Sequence, residues 1–112
     1  MTTEPPKRIK RAIRELAGAA HEIELRRALG PLRGQFARWD RGEIDAFELT
    51  DAVRRFHQGP ARDLYNRYTS NMLNVAVAHA IVTGIVDRAQ IAPDVLEHLR
   101  NAIAFYESQE SA

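Results

Sequence analysis

The chain has 112 residues, no cysteine, a net charge of +1 and hydrophobic residues at 45% of its positions. Such a length suits one domain with a core of its own. The missing thiols exclude disulfides, cysteine-based zinc sites and thiol catalysis, and the near-neutral charge does not by itself call for a polyanion partner. Charge is unevenly spread: residues 1–56 hold twelve Lys/Arg against nine Asp/Glu, and residues 57–112 hold four against six. Arginine outnumbers lysine fourteen to two, a ratio that suits planar, bidentate contacts with carboxylates or phosphates and that GC-rich coding would also produce.

Residues 1–6 read as a disordered arm ending in a helix-starting Pro5-Pro6. They precede no apolar stretch of the kind a leader peptide needs, so a reducing, cytoplasmic location is expected. From Lys7, the apolar residues Ile9, Ala12, Ile13, Leu16, Ala20 and Ile23 recur every three or four positions and predict an amphipathic helix. Gly30-Pro31 predicts a break or a kink. Leu32, Phe36 and Trp39 continue an apolar face beyond it, and Gly42 is placed to close the helix. Residues 7–41 are therefore either one bent helix or two.

Asp45-Ala-Phe-Glu48 matches a capping box, with Ile44 and Phe47 placed to staple the helix mouth into the core. Leu49, Val53 and Phe56 form the apolar stripe of that short helix. After Gly59-Pro60, an unbroken helix is expected to run to Gly84, exposed at its start and covered around Met72–Val82, where the polar face disappears. Pro93 and Asp94 open a last helix with Leu96, Leu99, Ala102, Ile103 and Tyr106 at core spacing. The predicted fold is all-α, a compact antiparallel bundle of four to five helices around a central buried helix at about residues 60–83. Residues 7–107 are expected to form a single helical domain, followed by a polar tail at 108–112. Six of the eight aromatic residues, Phe36, Trp39, Phe47, Phe56, Tyr65 and Tyr68, fall within thirty-three positions and are expected to mark the core where helices meet.

Nucleotide-binding glycine loops, H-E-x-x-H and the nucleophile elbow are missing, and the acidic run from Asp40 to Asp51 lacks the order of a calcium loop. No metal or cofactor is expected, and the scattered histidines His21, His57, His79 and His98 read as structural, with His79 a core histidine. Arg14 and His21, separated by six residues, lie on nearly one helix face. This R-x6-H spacing resembles the loose signature of HEPN ribonucleases, small all-helical enzymes. The resemblance covers two residues and implies catalysis on RNA by Arg14 and His21, with Glu15 departing from the family's usual residue after the arginine.

Lys7, Arg8, Lys10 and Arg11 make the first helix basic enough for nucleic-acid phosphates, with no aromatic residue among them to stack bases. Arg62, Tyr65 and Arg67, at the start of the helix after Pro60, are the expected anchors for an anion or an acidic partner. The reading these features favour is a small non-catalytic interaction or regulatory subunit, antitoxin-like or accessory in a bacterial setting, whose partner is another protein or a second copy of itself. Nucleic-acid binding through the first helix and HEPN-like ribonuclease activity are the alternatives.

Overall fold

A computed structural model describes residues 5–110 of the chain. Every regular element among them is helical: α1 (Lys7–Asp40), α2 (Ala46–Gln58), α3 (Pro60–Thr69), α4 (Leu73–Val82), a 3-10 turn at Arg88–Gln90, α5 (Pro93–His98) and α6 (Arg100–Glu110). They gather into two compact units, the first formed by Met1–Ala20 with Arg67–Ala112 and the second by His21–Asn66. Residues 1–4 of the expected arm and 111–112 of the expected tail lie outside the described residues, and α6 continues through residues 108–110.

The choice between one helix and two in residues 7–41 resolves as one. α1 is a single helix of 34 residues with Pro31 inside it. An interior proline removes one backbone hydrogen bond and crowds the preceding turn, so it weakens a helix that is otherwise rich in good helix formers. Pro31 is exposed and its pyrrolidine ring contributes little buried packing. Pro31→Ala is accordingly expected to stabilise the protein by about 1–3 kcal/mol. Urea unfolding followed by Trp39 fluorescence measures this, and an unchanged or lower midpoint would contradict it.

Gly42 ends α1 as the sequence predicts. At φ 75° it occupies the left-handed region that glycine adopts without a Cβ penalty. The Glu43 N–H then donates to the Arg38 carbonyl at 2.9 Å and the Gly42 N–H to the Trp39 carbonyl at 3.0 Å, the paired bonds of a Schellman stop. Gly84, at φ 79°, ends α4 in the same way, with Ile85 donating to Ala80 at 2.9 Å and Gly84 to Ile81 at 3.2 Å.

The expected single helix over residues 60–83 is instead two, α3 and α4, separated at residues 70–72. Ser70 supplies the reason. Its hydroxyl accepts the Met72 N–H at 3.1 Å and turns toward the Arg67 carbonyl at 3.5 Å, so side-chain bonds replace the backbone ladder. Burial rises along this stretch, but the cover expected from Met72 onward is incomplete, with Met72 60% and Val75 36% exposed. α3 buries only Leu64 and Tyr68, whereas α4 buries Ala76, Val77, Ala78, Ala80 and Ile81.

In the first unit, α4 packs against α6, and α5 also meets α6. The His79 ring, half-buried, meets Tyr106 edge-on with centroids 5.2 Å apart. Val95, Leu99 and Ile103 fill the core from the last two helices, and Ile9, Ile13, Ala17 and Ala20 are the buried stripe of α1. Arg8 on α1 forms an ion pair with Asp94 at the start of α5. This hydrogen-bonded guanidinium holds the Asp94 carboxyl below its ordinary range, and the carboxylate raises Arg8 in turn. A depressed native value means that the pair contributes fully above the unfolded Asp value of about 3.9 and is lost as pH falls through the lower folded value. The stability gap between wild type and Asp94→Asn should therefore be present at neutral pH and close only in strong acid. A gap independent of pH in urea titrations would refute this.

In the second unit, the capping box is complete: Asp45 Oδ1 accepts the Glu48 N–H at 2.8 Å, and Glu48 Oε1 accepts the Asp45 N–H at 3.2 Å. α2 then runs beside residues 28–35 of α1, and Leu32, Gln35, Ala52 and Phe56 line the shallow cleft between them. The staple expectation holds for Ile44, which is buried, and fails for Phe47, which is 85% exposed. Phe47 falls on the outer side of the first turn of α2, two positions before the buried Leu49 and so across the helix from it. Ile44 alone plugs the mouth.

The aromatic cluster is likewise not a common core. Tyr68 is buried and Phe56 half-buried, but Phe36 and Trp39 keep 44% and 43% of their surface exposed, and Tyr65 keeps 60%. α2 shares its cleft with the face of α1 that carries Ala28, Leu32 and Gln35, which leaves Phe36 on the flank.

Candidate functional site

The second unit carries a groove of about 590 Å³ whose walls come from three helices. His21 and Leu25 project from α1, His57 and Gln58 from the last turn of α2, and Ala61, Arg62 and Tyr65 from the start of α3. The sequence brings these ends together because Gly59 and Pro60 turn the chain between α2 and α3 within one residue. The Gly59 N–H donates to Arg55 at 3.0 Å, and the Gly59 carbonyl accepts from Asp63 at 2.9 Å. A Cβ on Gly59 would lie 2.9 Å from the Arg55 carbonyl oxygen, so the turn leaves no room for a larger residue.

Leu25 and Ala61 give the groove apolar surface, Tyr65 offers an exposed ring, and Arg62, Gln58 and the two imidazoles supply hydrogen-bond donors. No carboxylate among the described residues lines it. α2 ends where α3 begins, so the opposite dipole ends largely offset one another and the character of the groove comes from its side chains.

Two of the three expected anion anchors, Arg62 and Tyr65, share this groove. Arg67 does not. It lines a separate cleft in the first unit with Ser70, Met72, Ala76, His79 and Tyr106. The R-x6-H pair is also divided: His21 lines the groove, while Arg14 lines a first-unit cleft with Lys10, Ile13, Leu73, Asn74 and His98. On the basic first helix, Lys7, Arg11 and Arg14 are exposed, Lys10 is half-buried and Arg8 is engaged by Asp94. Part of that positive charge is thus paired within the protein, at its surface.

A second surface feature lies on the same unit. Leu29, Phe36, Trp39 and Val53 are each exposed by about two-fifths, and Phe47, on the outer side of α2, is nearly bare. Leu25, Leu29, Leu32, Phe36 and Trp39 follow one another at intervals of four, three, four and three, the spacing with which a helix meets another helix along a seam. α2 shares clefts with only part of that seam, at Leu25 and Leu32. Sequence reasoning placed Leu32, Phe36 and Trp39 on an apolar face and missed Leu25 and Leu29. The unbroken four-three alternation was the signal that could have added them. It also missed His57 and Gln58 as neighbours of Arg62, since only the tight turn at Gly59 puts them there.

Among the described residues, no group of three or more His, Asp or Glu side chains is placed to hold a metal, and no helix is long and apolar enough to cross a membrane. No protein-family model, curated protein or solved structure matches the chain.

Proposed function

We propose that this chain is a small, non-catalytic regulatory or accessory subunit of the cytoplasm that docks on another protein through the apolar flank of its second unit. One observation carries this reading: large hydrophobic side chains, Leu29, Phe36, Trp39 and Phe47, stand open to water on a single small unit. Water-soluble monomers seldom leave so many such residues exposed on a small unit, because each forgoes the free energy of burial. Aromatic side chains are enriched in interface cores, and tryptophan is among those that anchor interfaces most strongly. The heptad-like spacing on α1 fits a partner that presents an apolar helix face, either a different protein or a second copy of this chain.

The test compares wild type with Phe36→Ala/Trp39→Ala after circular dichroism has shown both to be folded. Affinity capture from native lysate should recover a protein with wild type and lose it with the double variant, by at least about thirtyfold when the pair is titrated. Sedimentation of the purified chain identifies the homodimer case, in which the wild type should associate with rising concentration and the double variant should not. Equal recovery by both proteins, or neither a captured partner nor self-association, would defeat the reading.

A further inference from the structure

From the groove at the junction of α2 and α3 we infer a second, independent capability: it binds a small organic phosphate monoester of mononucleotide size, with the phosphate on Arg62 and the ring system against Tyr65 and Leu25. The volume, about 590 Å³, lies in the range of small-ligand sites. Arg62 is exposed and forms no ion pair with any described residue, so its planar fork is available for two phosphate oxygens. His57 and Gln58, on the neighbouring helix end, add N–H donors on the same wall.

Two features favour a phosphate ester over a bare anion or a bare ring. The groove combines a cationic donor set with an exposed aromatic face and aliphatic surface, so an ion alone would leave the apolar part uncovered. A neutral aromatic ligand would leave Arg62 without a counter-charge. The lining carries no carboxylate that would repel the phosphate. Nothing in this inference depends on a protein docking at Phe36 and Trp39.

Adenosine 5′-monophosphate is the probe, titrated into the full chain while the histidine ring and backbone amide resonances are followed by NMR. Saturable shifts are expected at His21, His57 and the amides around Tyr65, with the residues of the first unit unmoved. Arg62→Gln, an exposed substitution whose fold is checked by circular dichroism, should weaken binding at least tenfold, and Arg11→Gln in the first unit should leave it unchanged. Adenosine and inorganic phosphate should each bind at least tenfold more weakly than the monophosphate. The inference fails if no saturable shift appears at millimolar probe, if Arg62→Gln binds like wild type, or if either fragment binds as tightly as the whole ester.

Discussion

Leu99→Ala is expected to destabilise the protein by about 2–5 kcal/mol. Leu99 retains only 1% of its surface and is one of the two largest fully buried side chains. It sits at the joint between α5 and α6, where its N–H donates to Val95 at 3.1 Å and its carbonyl accepts from Ile103 at 2.9 Å. Those backbone bonds hold the joint in place. They restrict how far the surroundings can collapse into the space left by three missing carbons, so the cavity cost adds to the lost transfer free energy. Leu29→Ala is the matched control, because Leu29 is 42% exposed and its truncation removes far less burial. Urea unfolding monitored by circular dichroism should separate the two variants clearly, and equal midpoints would mean that Leu99 is not a core residue.

Ala80→Leu should cost about 1–3 kcal/mol by the opposite mechanism, overpacking. Ala80 has 0% exposure, and so do Val77 and Ala78 beside it. Its carbonyl also receives the Ile85 N–H at 2.9 Å and the Val86 N–H at 3.3 Å, which fold the chain after α4 back over the helix end. A leucine at this position has no solvent to turn toward and must displace either the neighbouring helix or that returning segment. Ala104→Leu, on the exposed side of α6, adds the same atoms at a position open to water and should change stability by no more than about 0.5 kcal/mol. Indistinguishable unfolding midpoints for the two leucine variants would contradict the packing described for α4.

Periodicity and capping chemistry made most of the helical framework legible in the sequence. The 3.6-residue stripe from Ile9 to Ala20, the Asp45–Glu48 box and the glycine stops at 42 and 84 are local devices, and local devices are readable one turn at a time. Ser70 was not readable in this way, because its hydroxyl competes with the helix only when the chain beyond it has somewhere else to go. The aromatic residues misled for a related reason. Phe36, Trp39 and Phe47 have the composition of a core, but which of them is covered depends on the angle at which α2 meets α1, and no short-range pattern encodes that angle. Of the residues lining the groove, the sequence singled out Arg62 and Tyr65; it grouped Arg67 with them, but Arg67, five positions beyond Arg62 and so turned well away from it, lines a different cleft. His57 and Gln58 entered only with the geometry of the Gly59 turn.

The unbroken run of α1 bears on how the protein can be taken apart. Residues up to Ala20 belong to one unit and those from His21 to the other, so no loop separates them at that point. A protease finds no extended segment there to grip. Any attempt to express one unit without the other must cut through continuous helix twice, within α1 after Ala20 and within α3 after Asn66, and each cut strips carbonyls and amide protons of their partners. Dissection by truncation would thus create frayed ends of its own, and single-residue substitutions are the cleaner instrument for assigning an activity to either unit.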